Sequence, residues 1–173
     1  LTNARELRSG LEESGSIFQT TLDTEVFLHL MALSGADSVE EALTEAALQV
    51  SGAYSLVLLT EHAVVALRDP HGFRPLCLGR LGDGYVVASE TCALDLVGAE
   101  LMREVEPGEM ITIDPQGVRS RRALAAAEPL QHCIFEHIYF SRPDSRVFGD
   151  TVDRVRRRLG RQLAREHPAA VDV

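Results

Sequence analysis

Lysine is absent from this 173-residue chain, and all 17 basic side chains are arginine. Against 26 acidic residues they leave a formal net charge of -9. That is the wrong sign for a protein that gathers nucleic acid on a basic surface. With the many alanines, the missing lysine fits the coding bias of a GC-rich bacterial genome. Cysteine is scarce too. Cys77, Cys92 and Cys133 are odd in number and widely spaced, so they form no disulfide framework and favour a reducing cytoplasm. Long hydrophobic runs are missing: the stretch Tyr54 to Leu59, broken by Ser55, is far too short to span a bilayer. No signal-peptide pattern opens the chain, whose first residue is Leu1.

What is present suits one ordinary domain, or one domain and part of another, with 45% hydrophobic residues to build a core. Helical spacing predicts helices over residues 3–13, with Ala4, Leu7 and Leu11 on one side, and over 23–33, with Val26, Phe27, Leu30 and Leu33. Asp23 and Glu25 suit the positive end of the second. Ser38 and Glu41 stand at capping-box spacing before a third helix over 39–50, with Leu43, Ala46, Ala47 and Val50 inward. Short aliphatic runs then predict consecutive antiparallel strands over 53–60, 63–68, 75–78, 85–89, 102–105, 110–114 and 118–122, with a short helix over 92–98. The result is an α+β layout. Alanine-rich residues 123–130 read as a linker. A strongly basic helix follows over 150–167, and Val171 to Val173 opens a strand. In that helix Val152, Val155, Leu159 and Leu163 form one apolar stripe under a basic outer face, a solvated or subunit-contacting surface.

The loop from Asp69 to Pro75 is the richest local signal. Two prolines stiffen its ends, Gly72 permits a tight turn, and Asp69 and Arg74 are placed to pair across it as loop support. On spacing alone, this is equally a structural hairpin with a surface ion pair.

Arg68-Asp69-Pro70-His71-Gly72-Phe73-Arg74-Pro75-Leu76 resembles a signature of glutamine amidotransferases with an N-terminal nucleophile. Ala88-Ser89-Glu90-Thr91-Cys92-Ala93-Leu94-Asp95 is similar to the same group. Two further stretches, Leu1-Thr2-Asn3-Ala4 and Thr20-Thr21-Leu22-Asp23-Thr24-Glu25, resemble the amidophosphoribosyltransferases. So does Cys133-Ile134-Phe135-Glu136-His137-Ile138-Tyr139-Phe140-Ser141-Arg142-Pro143-Asp144-Ser145. That last stretch is similar to the junction between their glutaminase and phosphoribosyltransferase domains.

The resemblance implies an incomplete αββα sandwich of the N-terminal-nucleophile hydrolases over residues 1–125, the later part of a glutaminase domain. Residues 126–173 would be the linker and the beginning of an α/β phosphoribosyltransferase domain. Such enzymes hydrolyse glutamine and transfer the ammonia to phosphoribosyl pyrophosphate, giving 5-phosphoribosylamine in the first committed step of purine synthesis. The nucleophile is a cysteine at the mature N-terminus, with its own α-amino group as base. An Asn-Gly pair stabilises the oxyanion. Both would lie upstream of Leu1, so no catalytic residue is expected in this chain, and Asn3 is not the oxyanion residue. Asp23 matches the aspartate that binds the glutamine α-amino group, although Leu22 stands where a serine is expected. Without the resemblance, Asp23 reads as a helix N-terminal acid.

Tyr139, Arg142 and Asp144 fall where the family couples phosphoribosyl pyrophosphate binding to glutaminase activation. A packed linker with a local Arg–Asp pair is the alternative. His137 stands where tyrosine is common. Cys133 aligns with the first ligand of a [4Fe-4S] cluster found in some members, and an ordinary cysteine is equally open there. Cys77 and Cys92 read as buried small hydrophobes. Mg²⁺ would be held beyond these residues. The full enzymes are cytoplasmic and homotetrameric, bind no nucleic acid or membrane, and take glutamine and phosphoribosyl pyrophosphate. The chain alone is expected to be inactive. Two other readings remain: a non-catalytic glutamine-binding or regulatory paralogue, and another N-terminal-nucleophile glutamine amidotransferase.

Overall fold

The computed structural model describes residues 1–170. In chain order the elements are α1 (Ala4–Glu13), α2 (Glu25–Leu33), α3 (Val39–Gln49), β1 (Ser55–Leu59), β2 (Val64–Arg68), β3 (Cys77–Leu81), β4 (Gly84–Ala88), α4 (Thr91–Val97), β5 (Glu100–Glu104), β6 (Glu109–Asp114) and β7 (Gly117–Arg122). A π-helical turn (Glu136–Phe140), a small hairpin of β8 (Arg146–Val147) and β9 (Asp150–Thr151), and α5 (Val152–Glu166) complete them. Every helix and strand expected from periodicity within the described residues is present, with ends displaced by a few residues at most. The expected strand at Val171 to Val173 lies outside the described residues.

The strands are all antiparallel, but they are not simple chain neighbours. One sheet runs β1-β2-β6-β7 and the other β4-β3-β5. Residues Leu1–Phe73 and Glu106–Gln131 form one compact unit, and residues Arg74–Val105 and His132 onward form a second. Pairing of β2 with β6 joins distant segments in the first unit, and packing of α4 against β8 does so in the second.

In the first unit, the helices bury their apolar stripes together with one side of the four-stranded sheet. Val26, Phe27, Leu30, Leu43, Ala46, Ala47 and Val50 form the core with Val65, Leu67 and Met110. Burying each large aliphatic side chain contributes about 1.5–3 kcal/mol. The Ser38 hydroxyl accepts the Glu41 N–H at 3.2 Å and caps α3. Leu33 departs from expectation: it is 64% exposed, because α2 ends there and Leu30 is its last inward residue.

In the second unit α4 packs on β3, its Leu94 fully buried with Cys77 and Ala99. Space is tight at Gly79, where a Cβ would meet Leu94 Cδ1 at 2.9 Å and the Glu100 carbonyl at 3.1 Å. The β3–β5 register slips at this point. The expected buried stripe of α5 is a correction. Val152 is buried, but Leu159 is 47% and Leu163 60% exposed. Among the described residues, the π-helical turn and β9 pack against α5, and neither covers its later turns. No helix among the described residues is long and apolar enough to cross a membrane.

Candidate functional site

Asp23 ends an irregular loop between α1 and α2. Glu25, the first residue of α2, turns back on that loop. Its carboxylate accepts the Gln19 N–H at 2.7 Å, the Thr20 N–H at 2.9 Å and the Thr20 hydroxyl at 2.6 Å. These donors, the Gln19 N–H foremost, hold the Glu25 carboxyl down at about 2. Arg8 of α1 donates to the Thr20 carbonyl at 2.8 Å and lies 4.2 Å over the Phe18 ring. The Asp23 carboxylate is half exposed and accepts a hydrogen bond from the Leu1 α-ammonium at 2.6 Å. Beside the loop is an open cleft of about 570 Å³ with Leu22, Leu28 and His29 among its walls. Leu22 thus presents an apolar, exposed side chain where the resemblance expects a serine. The Asn3 side chain has other duties: its amide donates to the Gln49 carbonyl at 2.9 Å and its oxygen accepts the Ser51 N–H at 2.8 Å.

The loop after β2 is built around Asp69, which is fully buried. Its carboxylate accepts the backbone N–H groups of His71 at 2.8 Å, Phe73 at 3.2 Å and Tyr54 at 3.4 Å. A buried carboxylate needs such donors, and a tight turn supplies them. Arg68, also buried, donates to the Gly72 carbonyl at 2.9 Å. Gly108 closes the arrangement. It has φ +74°, and its N–H donates to the Arg68 and Asp69 carbonyls at 3.2 and 3.1 Å, while its own carbonyl accepts from Ala123 and Leu124 at 3.0 Å. The expected linker is therefore fastened in place: Ala127 donates to the Pro70 carbonyl at 2.8 Å and Gln131 to that of His71 at 3.0 Å. The Tyr54 hydroxyl is buried without a hydrogen-bond partner, and burial, followed by the Asp69 charge, pushes its pKa up.

The expected Asp69–Arg74 pair gives way to separate partners. Asp69 is occupied by backbone N–H groups. Arg74 forms an ion pair with Glu136 and lies 4.8 Å over the Phe140 ring. Glu136 is 1% exposed and also accepts the Ser141 hydroxyl at 2.6 Å. Arg156 of α5 donates to the carbonyls of His137 at 2.7 Å and Ser141 at 2.8 Å. Glu90 fastens the same segment from its other end, through the Arg142 N–H at 2.9 Å and the Ser145 hydroxyl at 2.7 Å. The Thr91 hydroxyl accepts the Arg146 N–H at 2.8 Å.

Arg142 and Asp144 form a two-pronged pair at 3.1 and 2.8 Å, both more than half exposed. The mutual hydrogen bonds raise the Arg142 pKa and lower that of Asp144. Tyr139 is 77% exposed, its ring edge-on to Phe140.

Cys77, Cys92 and Cys133 are free thiols, the first two buried and the third partly exposed. Burial, with Glu104 nearby, pushes the Cys77 thiol up to about 11, a value that suits packing and not nucleophilic attack. Among the described residues, no three or more His, Cys, Asp or Glu side chains gather as a metal site. Cys133 offers one sulfur where a cluster takes four, so a cluster there would draw its other three ligands from outside the described residues.

Glu25, Glu90, Glu136 and Arg156 are the residues that sequence reasoning missed. Glu136 carried a signal: a lone acid inside the aromatic run from Cys133 to Phe140 is a buried, partnered charge or nothing. Glu25 and Glu90 lie inside the quoted motifs, but their bonding partners are fixed by tertiary geometry.

Comparison with known proteins accounts for this arrangement. The family described as a glutamine amidotransferase domain matches residues 1–96. Amidophosphoribosyltransferase 2, chloroplastic, of Arabidopsis thaliana is 52% identical over 100% of this chain and 31% of its own length. The amidophosphoribosyltransferase of Bacillus subtilis is 46% identical over 100% of this chain and 36% of its own. The solved glutamine phosphoribosylpyrophosphate amidotransferase of B. subtilis, complexed with ADP and GMP, superposes with a TM-score of 0.93 at 45% identity. It is matched over 99% of this chain and 38% of that one. The chain thus spans about a third of the length of these relatives. It has the fold of their N-terminal-nucleophile glutaminase domain, and it belongs to the glutamine amidotransferase domain family.

Proposed function

We propose that this chain forms the later part of the glutaminase half of an amidophosphoribosyltransferase. The likeness to the B. subtilis enzyme, a TM-score of 0.93 over 99% of the chain, supports that reading most strongly. The reaction is hydrolysis of the glutamine amide and transfer of the ammonia to phosphoribosyl pyrophosphate. A cysteine thiolate attacks the amide carbon, ammonia leaves, and water releases glutamate from the thioester. Ammonia then displaces pyrophosphate from the sugar and gives 5-phosphoribosylamine.

In this reading Asp23 holds the substrate's α-ammonium. Its carboxylate is half exposed just before α2, so its exposure suits the task. Asp69 and its neighbours stiffen the loop after β2. Tyr139 and the Arg142–Asp144 pair sit on a segment clamped by Glu90, Glu136 and Arg156, and they transmit the state of the transferase site. Mg²⁺ and phosphoribosyl pyrophosphate are held by residues other than these. Three free thiols suit a reducing compartment.

None of the 173 residues supplies the nucleophile in this reading. The purified chain therefore releases no glutamate from glutamine above the uncatalysed background. Glutamate release that persists on replacing Cys133 but stops on replacing Cys77 or Cys92 would place a nucleophile inside the chain and overturn the assignment.

A further inference from the structure

Acids in the first turn of a helix ordinarily act by charge alone, through the positive end of the helix. Glu25 does something more specific. Oε1 takes the Gln19 N–H, and Oε2 takes both the N–H and the hydroxyl of Thr20, all within 2.6 to 2.9 Å. Thr20 passes the constraint on: while its hydroxyl donates to Glu25, the same oxygen accepts the Leu22 N–H at 3.2 Å. Arg8 holds the Thr20 carbonyl from the other side at 2.8 Å. Leu22 and Asp23 then enter the helix through their carbonyls, which accept the N–H groups of Glu25 and Val26 at 3.3 Å. The backbone before Asp23 is thereby held by one carboxylate and one hydroxyl, and the backbone after it by the first turn of α2.

We infer that Glu25, acting through Thr20, is the positioning residue for Asp23, and that it sets the affinity of that carboxylate for the glutamine α-ammonium. The inference rests on the reading of Asp23 given above. Neither Glu25 nor Thr20 touches the ligand. An aspartate side chain is short, so its carboxylate meets an ammonium only if its backbone is already placed. A loop that samples about ten conformations in place of one weakens binding about tenfold, because only the competent fraction binds.

The test uses a hybrid in which this chain replaces the matching 36% of the B. subtilis enzyme, with four variants beside Asp23→Asn. Glu25→Ala and Thr20→Val remove the constraint, Thr20→Ser keeps the hydroxyl, and Glu25→Gln keeps one acceptor oxygen. Two quantities are read: amide exchange at Gln19, Thr20 and Leu22, and the glutamine KM beside the ammonia-dependent rate. In Glu25→Ala and Thr20→Val the three amides exchange about tenfold faster or more, while α3 is unchanged, and the glutamine KM rises about tenfold with the ammonia-dependent rate unchanged. Thr20→Ser stays within about twofold of the wild type, and Glu25→Gln falls between. A glutamine KM equal to the wild type's in Glu25→Ala and Thr20→Val overturns the positioning role alone. A glutamine KM that ignores Asp23→Asn overturns the ammonium role, and the positioning role with it.

Discussion

Glu25 carries a titration with a defined sign. Its carboxyl sits at about 2 in the folded chain, below the ordinary value of 4.5, because backbone and hydroxyl donors favour the charged form. A depressed carboxyl stabilises the fold above its unfolded pKa, and that contribution is lost as pH falls through the folded one. The urea midpoint of the wild type should therefore exceed that of Glu25→Gln above about pH 4.5, and the margin should shrink as pH falls from there toward about 2. A margin independent of pH across that range would show that the charge of Glu25 contributes nothing. The cysteines give a second check at this scale. Cys133 should react first with a thiol reagent, and Cys77 only on unfolding, since burial both shields its sulfur and suppresses its thiolate. Early labelling of Cys77 in the folded chain would contradict its placement. The burial of Cys77 and Cys92 was legible in the sequence, from a strand interior and a helix start. The clamp at Glu25 was not, because a first-turn acid looks the same whether it faces solvent or a loop.

Among elements, the loops decide more than the helices. A Cβ at Gly108 would lie 2.3 Å from the Leu124 carbonyl oxygen, and the residue has φ +74°. Gly108→Ala should cost about 3 kcal/mol or more in chemical denaturation, from backbone strain and the lost fastening of residues 68–69 and 123–124. A loss below about 1 kcal/mol would show that the loop adapts freely. The segment after it offers a contrast between two ion pairs. Glu136 is buried with Arg74 and Ser141, whereas Arg142 and Asp144 are more than half exposed. Glu136→Ala should cost about 2–3 kcal/mol, and Arg142→Ala well under about 1 kcal/mol, by the same urea measurement. The reverse order would refute the assignment of Glu136 as the structural clamp and of Arg142 as a residue kept for another purpose.

Helices and strands were legible here because their apolar periodicities are regular, as in α3, whose inward residues Leu43, Ala46, Ala47 and Val50 are all buried. Strand partners were not, because β2 pairs with β6 across residues that form another sheet. The exposed stripe of α5 shows the same limit. Periodicity marks which side of a helix is apolar, and tertiary contacts decide whether anything covers it.

For the whole molecule, the family was legible because several short motifs occur in one order along the chain. The structure gives two of those likenesses a physical basis. Arg74 of the loop motif pairs with Glu136, and Glu90 and Thr91 of the second motif hold Arg142, Ser145 and Arg146. The compact units were not legible, since residues 74–105 group with residues from 132 on through such contacts. The central claim is that this chain serves as the later glutaminase portion of an amidophosphoribosyltransferase. Its most direct test is a hybrid in which the chain replaces the matching 36% of the B. subtilis enzyme. Phosphoribosylamine formation is then measured with glutamine and, separately, with free ammonia as nitrogen source. The account predicts that the hybrid uses both, and that Asp23→Asn raises the glutamine KM about tenfold or more while leaving the ammonia-dependent rate unchanged. A hybrid that works with ammonia but not glutamine, or one whose glutamine KM ignores Asp23→Asn, would contradict it.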